Sequence, residues 1–244
     1  MGYRYAIERA DYSDLASGWV LRSAPGRPGF PVRLADELFR RALAHLGREP
    51  VGVWDPCCGS GYLLTVLVLL HRDRITHVHA SDSDPEAVHL AARNLELLTA
   101  AGLAQRSREA RERAEAFGKP GYLDMAASAD RLARRLHTLG GDLAATTCRG
   151  DVFAPEAPRS STDVVLTDVP YGDLTHWSGM VPNGEPVPAL LRAVAEPLSD
   201  DALLVVTART RKIPLPTGVR PLERVRVGSR SAVLVRVAEV RDAP

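Results

Sequence analysis

The chain is poor in cysteine, lysine and net charge, and each shortage excludes something. Three cysteines (Cys57, Cys58 and Cys148) among 244 residues make neither a disulfide framework nor a zinc pattern. A reducing cytoplasm is the simplest setting for them. Cys57 and Cys58 read as small loop residues beside a ligand rather than as nucleophiles. Lys119 and Lys212 are the only lysines among 31 basic residues. A GC-rich genome accounts for most of that bias, although arginine forks also match phosphates and stack on bases. A net charge of +1 supplies no global field toward nucleic acid, so charge leaves the partner undecided. The longest apolar run, Leu63 to Leu70, is far too short to cross a bilayer, and no stretch reads as a signal peptide. No membrane partner is expected.

What is present is ordinary for a soluble protein, with 45% apolar and 25% charged residues. The length suits one large α/β domain with additions. We read residues 1–48 as an N-terminal extension, 103–143 as a helical insertion and 144–244 as the second half of a common core. The stretch that organises the rest is Val51-Gly-Val-Trp-Asp55-Pro-Cys-Cys-Gly59-Ser-Gly61-Tyr62, a buried strand, a tight loop and the start of a helix. Gly59 and Gly61 let a ligand approach the backbone, and the helix behind them aims its free N–H groups at it. Such a turn at the edge of an open sheet makes a nucleotide-type site. A dinucleotide fingerprint fits poorly, because Leu64 stands where its third glycine belongs. A carboxylate at Asp55 would also repel a pyrophosphate. It suits a cationic ligand such as S-adenosylmethionine, with its sulfonium and ammonium groups.

In chain order, Tyr3–Ile7 and Gly18–Arg22 read as short strands. Residues 24–31 are a proline- and glycine-rich loop. Val32–Leu46 is a helix with Leu34, Leu38, Ala42 and Leu46 on its apolar face and Arg33, Glu37, Arg40 and Arg41 on the other. This loop and helix would either close over the cofactor or simply cover the sheet. Strand two spans Thr76–Asp82. Asp82 lies 21 residues after Gly61, near the interval for a ribose-binding carboxylate. Asp84-Pro85-Glu86 starts the next helix, which gives Asp84 a capping role beside a cofactor one. His77 and His79 lack a third ligand, so no metal is expected. The insertion reads as an αα-hairpin. Arg131, Arg134 and Arg135 on its second helix are candidates for an RNA-contacting arm, against a solvated helix pair with internal ion pairs. Leu143–Gly150 is strand three, followed by Asp151 and Val152. Asp163–Asp168 is strand four, running into Val169-Pro170-Tyr171-Gly172. A helix over Val187–Leu198, strand five over Ala202–Thr207, and strands over Leu222–Val227 and Ser231–Val237 complete the pattern.

The glycine loop resembles motif I of the class I methyltransferases in its D-P-x-C-G-S-G form. Ser81–Val88 with Ala92-Arg93-Asn94-Leu95 resembles the motif II region of RNA-modifying members. Asp168-Val169-Pro170-Tyr171 resembles the [D/N]-P-P-[Y/F/W] motif of amino-group methyltransferases, with valine in place of the first proline. The resemblance covers about residues 48 to 238. It implies a Rossmann-like α/β fold with a seven-stranded, mostly parallel sheet and an antiparallel last strand. It also implies S-adenosyl-L-methionine as cofactor, held by Asp55, Cys57, Gly59, Gly61, Asp82, Asp84, Asp151 and Val152. Asp168 and the Val169 carbonyl would accept the two N–H bonds of an exocyclic amine, Pro170 would stiffen the turn, and Tyr171 would stack on the base. Gly172 to Pro186 would be a mobile loop over the target base, with Arg209, Arg211 and Lys212 near a passing phosphate backbone.

The N-terminal extension, the helical insertion and Asp168-Val169-Pro170-Tyr171 together make the chain similar to the avilamycin-resistance ribosomal RNA methyltransferases of antibiotic-producing actinomycetes. That likeness implies a guanine in 23S ribosomal RNA, or the large ribosomal subunit, as the target, and drug resistance as the outcome. A monomer is the simplest assembly. Rival readings are a DNA adenine methyltransferase, a protein or small-molecule N-methyltransferase, a silent RNA-binding relative and an NAD-dependent dehydrogenase.

Overall fold

The computed structural model describes residues 2–8, 10–16, 18–26, 29–156, 161–170, 177 and 181–243. Its centre is a seven-stranded sheet in the order β3-β2-β1-β4-β5-β7-β6. The strands are β1 (Val51–Asp55), β2 (Ile75–Asp82), β3 (Ala144–Arg149), β4 (Val164–Asp168), β5 (Leu203–Ala208), β6 (Glu223–Val227) and β7 (Arg230–Arg236). The first five run parallel, and β7 lies antiparallel between β5 and β6. Central strands β1 and β5 are buried throughout, as expected where helices cover both faces of a parallel sheet. The expected fold is the one observed. Strand boundaries differ from the sequence reading by a residue or so, the scatter normal for element ends.

Seven α-helices lie among the described residues. They are α1 (Val32–Leu46), α2 (Tyr62–His71), α3 (Pro85–Leu95), α4 (Ala100–Phe117), α5 (Gly121–Thr138), α6 (Pro186–Ala195) and the short α7 (Val237–Arg241). Helix α2 is buried along its whole length. A helix apolar all round needs cover on every side, and the elements added to the basic fold provide it, with α1 and α5 packing against it alongside α3. Leu67, Leu98, Leu103, Leu132 and Leu136 belong to this one core, while α6, α7 and the opposite sheet face form a second around Leu190, Val206 and Val235.

The two additions also fasten to each other. Buried Arg106 of α4 donates to the carbonyls of Val20 and Trp19 at 2.9 and 2.7 Å. The Trp19 indole donates to Ser128 Oγ at 2.9 Å, and Arg22 pairs with Glu109 at 3.1 Å. The helical hairpin is therefore laid against the N-terminal segment over much of its length, where the sequence suggests a projecting arm.

Two short strands expected near the N-terminus are absent. Tyr3–Ile7 has strand-like composition, yet its amides meet a side chain and no partner strand. Arg4, Tyr5 and Ala6 donate their N–H groups to the Glu37 carboxylate at 2.7 to 2.8 Å. Residues 18–20 form a turn. Glu37 and Arg41, on the side of α1 opposite the expected apolar face, are both buried and paired with each other at 2.5 Å. Arg41 reaches on to Glu223 of β6 and to the Gly2 carbonyl. Helical spacing showed which side of α1 is polar but not that residues 2–7 lie against it.

Burial alone would raise the Glu37 carboxyl, but the three amides and Arg41 hold it below the usual glutamate range. Its stabilising effect is therefore present above that range and lost as pH falls through its lowered folded value. Replacing Glu37 with Ala strands three backbone donors and leaves the buried Arg41 guanidinium with Glu223 as its one remaining carboxylate partner. We expect urea unfolding to show a loss of about 3–5 kcal/mol. A loss under about 1 kcal/mol would remove this residue as the anchor of the N-terminal segment.

Candidate active site

The sheet's strand order reverses between β1 and β4, and in open α/β sheets ligands lodge beyond the carboxyl ends of the strands at that point. Three strands that end there each finish in aspartate: Asp55 on β1, Asp82 on β2 and Asp168 on β4. The loop after β1 carries Cys57, Cys58, Gly59 and Gly61 beneath them. Asp82 is the clamp of this loop, accepting from Gly59 N at 2.8 Å with one oxygen and from Asp84 N at 3.0 Å with the other. Cys58 N donates to the Ser81 carbonyl at 3.0 Å, and Cys57 N to Asp55 Oδ1 at 3.2 Å. Gly61 begins α2 at φ +68°, and a Cβ there would sit 3.0 Å from Ala91 of α3. Asn94, one turn further along α3 and fully buried, holds the Ser60 carbonyl at 2.9 Å and both backbone groups of Arg22 at 2.8 to 3.0 Å. One side chain thus ties the loop to the N-terminal extension.

The electrostatics are those of a crowded acidic pocket. Burial pushes the Asp55 carboxyl up to about 7, with Asp82 and Asp168 adding to the rise. Burial also lifts Asp168 to about 6 against the downward pull of Arg230 and Arg209. The Cys57 and Cys58 thiols are driven well up by burial and by the same carboxylates. Thiols so disposed are poor nucleophiles, in keeping with their reading as loop residues.

Asp168 has a partner that the sequence reading missed. The guanidinium of Arg230, at the first position of β7, lies 2.5 Å from its carboxylate. Arg230 is only 5% exposed and sits 4.8 Å over the Phe30 ring. Val169 is buried and donates its N–H to the Thr207 carbonyl of β5 at 2.9 Å. A proline could not make that bond, so the valine departure has a structural reason: the turn is anchored to β5 instead of being stiffened by a ring. Pro170 follows, half-buried, and Tyr171 lies outside the described residues. So do residues 172–176 and 178–180 of the expected loop, whereas Trp177 stands 5.5 Å from the Phe153 ring.

Other candidates are placed less directly. Asp84 caps α3, accepting from Glu86 N at 2.9 Å. Asp151 is exposed past the end of β3 and accepts from Phe153 N at 2.9 Å, with half-buried Val152 between them. Arg209, Arg211 and Lys212 are exposed at the end of β5, on the site edge. The arginines of α5 are not brought there together. Arg135 donates to the Leu69 and Leu70 carbonyls at 2.8 and 3.2 Å. It thereby caps the far end of α2, about 15 Å along the helix from the loop. Arg131 is paired with Asp14 at 2.5 Å, and Arg134 is exposed. The sequence put these arginines on one helix but could not show what that helix packs against.

A family profile described as rRNA methyltransferase AviRa matches residues 1–230. A 23S rRNA (guanine(2535)-N(1))-methyltransferase of Streptomyces viridochromogenes is 56% identical over 247 residues, covering 99% of this chain and 98% of its own. Among solved structures, an rRNA methyltransferase aviRa from the same organism superimposes with a TM-score of 0.93 at 55% identity, covering 100% of this chain and 99% of that one. A second structure bearing that name gives 0.91 at 56% identity over 98% of each chain.

The loop geometry carries its own test. Gly61→Ala forces a side chain into left-handed backbone and against Ala91, so we expect a loss of about 2 kcal/mol in chemical unfolding. Wild-type stability in this variant would show that the close approach of α2 and α3 is not a constraint.

Proposed function

The chain belongs to the AviRa family of rRNA methyltransferases, and from that premise we propose that it methylates N1 of a guanine in 23S ribosomal RNA. S-adenosyl-L-methionine is the proposed donor, and the proposed outcome is resistance to an avilamycin-type drug acting on the large subunit. Work on ribosomal RNA also gives it a cytoplasmic setting. The sequence motif alone favoured an exocyclic amine. The name of the 56%-identical relative moves our reading to the ring nitrogen. Asp168 suits either atom, since both carry a hydrogen that a carboxylate can accept.

The observation that carries the reading is the cluster of three aspartates around a glycine loop at the switch point of the sheet. Two of them are held at raised pKa by burial, so the pocket has desolvated negative charge without enough cation. A ligand bearing a sulfonium and an ammonium supplies what is lacking. Gly59 and Gly61 would allow its close approach, Asp82 would accept from ribose hydroxyls, and Asp151 and Val152 would flank an adenine. When bound, the donor supplies an electrophilic methyl carbon. The protein's own contribution is to hold the base in line with it and to accept the N1 proton at Asp168. Arg209, Arg211 and Lys212 would meet phosphates at the same edge.

Three measurements check this. Incubation with tritiated donor should label 23S rRNA or large subunits, with 1-methylguanosine recovered on nucleoside analysis. Label confined to DNA, or only in 2-methylguanosine, would reject the assignment. Asp82→Ala should weaken donor binding at least about tenfold in calorimetry, from lost charge-assisted hydrogen bonds and a loosened loop; unchanged affinity would exclude the ribose role. Donor binding should also release a proton near pH 7, because a cation favours ionised Asp55. Affinity should therefore tighten as pH rises through about 7. Calorimetry in buffers of different ionisation heat reads this directly, and a pH-independent affinity contradicts it.

A further inference from the structure

Methylation at N1 sets a problem that an exocyclic amine does not. In neutral guanine N1 carries a hydrogen, and its remaining pair is delocalised into the ring. The nitrogen becomes nucleophilic when the proton leaves, and the resulting negative charge is shared with O6. A pocket built of Asp55, Asp82 and Asp168 would oppose that anion. It needs a cation close to the proton acceptor, desolvated so that its field is not screened.

Arg230 meets these conditions. It is the buried cation paired with Asp168, at 2.5 Å. Its position is fixed twice over, by the register of β7, where the neighbouring Ser231 pairs with Ala208 of β5, and by the Phe30 ring beneath it. Such an arrangement is unneeded for stability alone, because a buried ion pair gains little over an apolar pair of the same volume. Resting on the N1 reading above, we propose that Arg230 stabilises the N1-deprotonated guanine while Asp168 takes the N1 proton. The N1–H bond breaks, its electron pair stays on N1, and the proton moves to the Asp168 carboxylate. The pair on N1 forms the bond to the methyl carbon as the carbon–sulfur bond breaks, its electrons remaining on sulfur. Asp168 then returns the proton to solvent. Charge is conserved locally: as Asp168 is neutralised, the guanidinium exchanges one anionic partner for another. The raised basicity of Asp168 helps in the same direction.

The charged and titratable groups facing Asp168 are Arg230 on β7, Arg209 beyond β5, and Asp55 and Cys57 on β1 and its loop. Loss of the Arg230 charge should move the Asp168 titration upward. The test compares wild type, R230M and R230K, each with donor and a synthetic 23S rRNA fragment spanning the methylated guanine. In R230M we expect kcat to fall about 100-fold or more. The acidic limb of its kcat/KM profile should shift to higher pH, and R230K should restore part of both. A fragment with 8-azaguanine at the target, whose N1 proton is more acidic, should rescue R230M selectively. A rate loss with an unmoved limb and no such rescue would mean that Arg230 only supports the fold, and the proposal fails. Should R230M not fold by circular dichroism, R230K carries the same comparisons, its compact ammonium being a poorer match for a planar anion. An inosine-substituted fragment separates the two levels of inference. Inosine keeps N1–H and O6 but lacks the amine, so failure to methylate it overturns the N1 reading itself, whereas its methylation leaves Arg230 alone on trial.

Discussion

Placing three carboxylates at one sheet edge, two of them largely removed from water, is the constraint to which the rest of the structure answers. Each aspartate is partly compensated by the fold: Asp82 by the Gly59 and Asp84 amides, Asp55 by the Cys57 amide, and Asp168 by Arg230. The compensation is incomplete, as the raised Asp55 and Asp168 carboxyls show. Hydrogen-bond donors offset desolvation only in part, and the remainder is free to act on a positively charged ligand. Uncompensated carboxylate charge of this kind favours a cationic ligand over an anionic one.

The extra segments matter because the loop cannot hold this arrangement alone. Helix α2 begins at the loop and is apolar on all sides, so it stays in place only if α1, α3 and α5 enclose it. Glu37 gathers the N-terminal backbone onto α1, Arg106 and Arg22 join that segment to α4, and Asn94 joins it to Ser60 in the loop. The N-terminal extension and the insertion are one brace assembled from distant stretches. Phe30, on that same extension, supports Arg230. Features that look peripheral in sequence are thus linked to the acidic edge through packed side chains.

Arginine supplies much of this wiring. Arg33, Arg40, Arg72, Arg106 and Arg135 each donate to a backbone carbonyl of a segment distant in the chain. A guanidinium can serve several acceptors from one fixed plane. The chain's preference for arginine over lysine, whatever its genomic origin, is used here for internal cohesion as well as for any contact with phosphate.

The order of strands and helices was legible from the sequence because local rules govern it. Apolar runs and the 3.6-residue period placed the core elements, Asp84-Pro85 announced the start of α3, and Asp55, Gly59, Gly61, Asp82 and Asp168 were placed at strand ends or in the loop between strand and helix. Sequence could not say which polar residues would be buried. Glu37 and Arg41 share the polar side of α1 with Arg33 and Arg40, and Tyr3–Ile7 has the composition of a strand; only the folded chain puts one against the other. Nor could it pair Asp168 with Arg230, 62 residues away, since the contact arises when β7 inserts antiparallel beside β5 and brings a hairpin turn to the acidic edge. Local periodicity records what a residue's neighbours in the chain require. Charge compensation depends on distances through space, and those exist only once the sheet has closed.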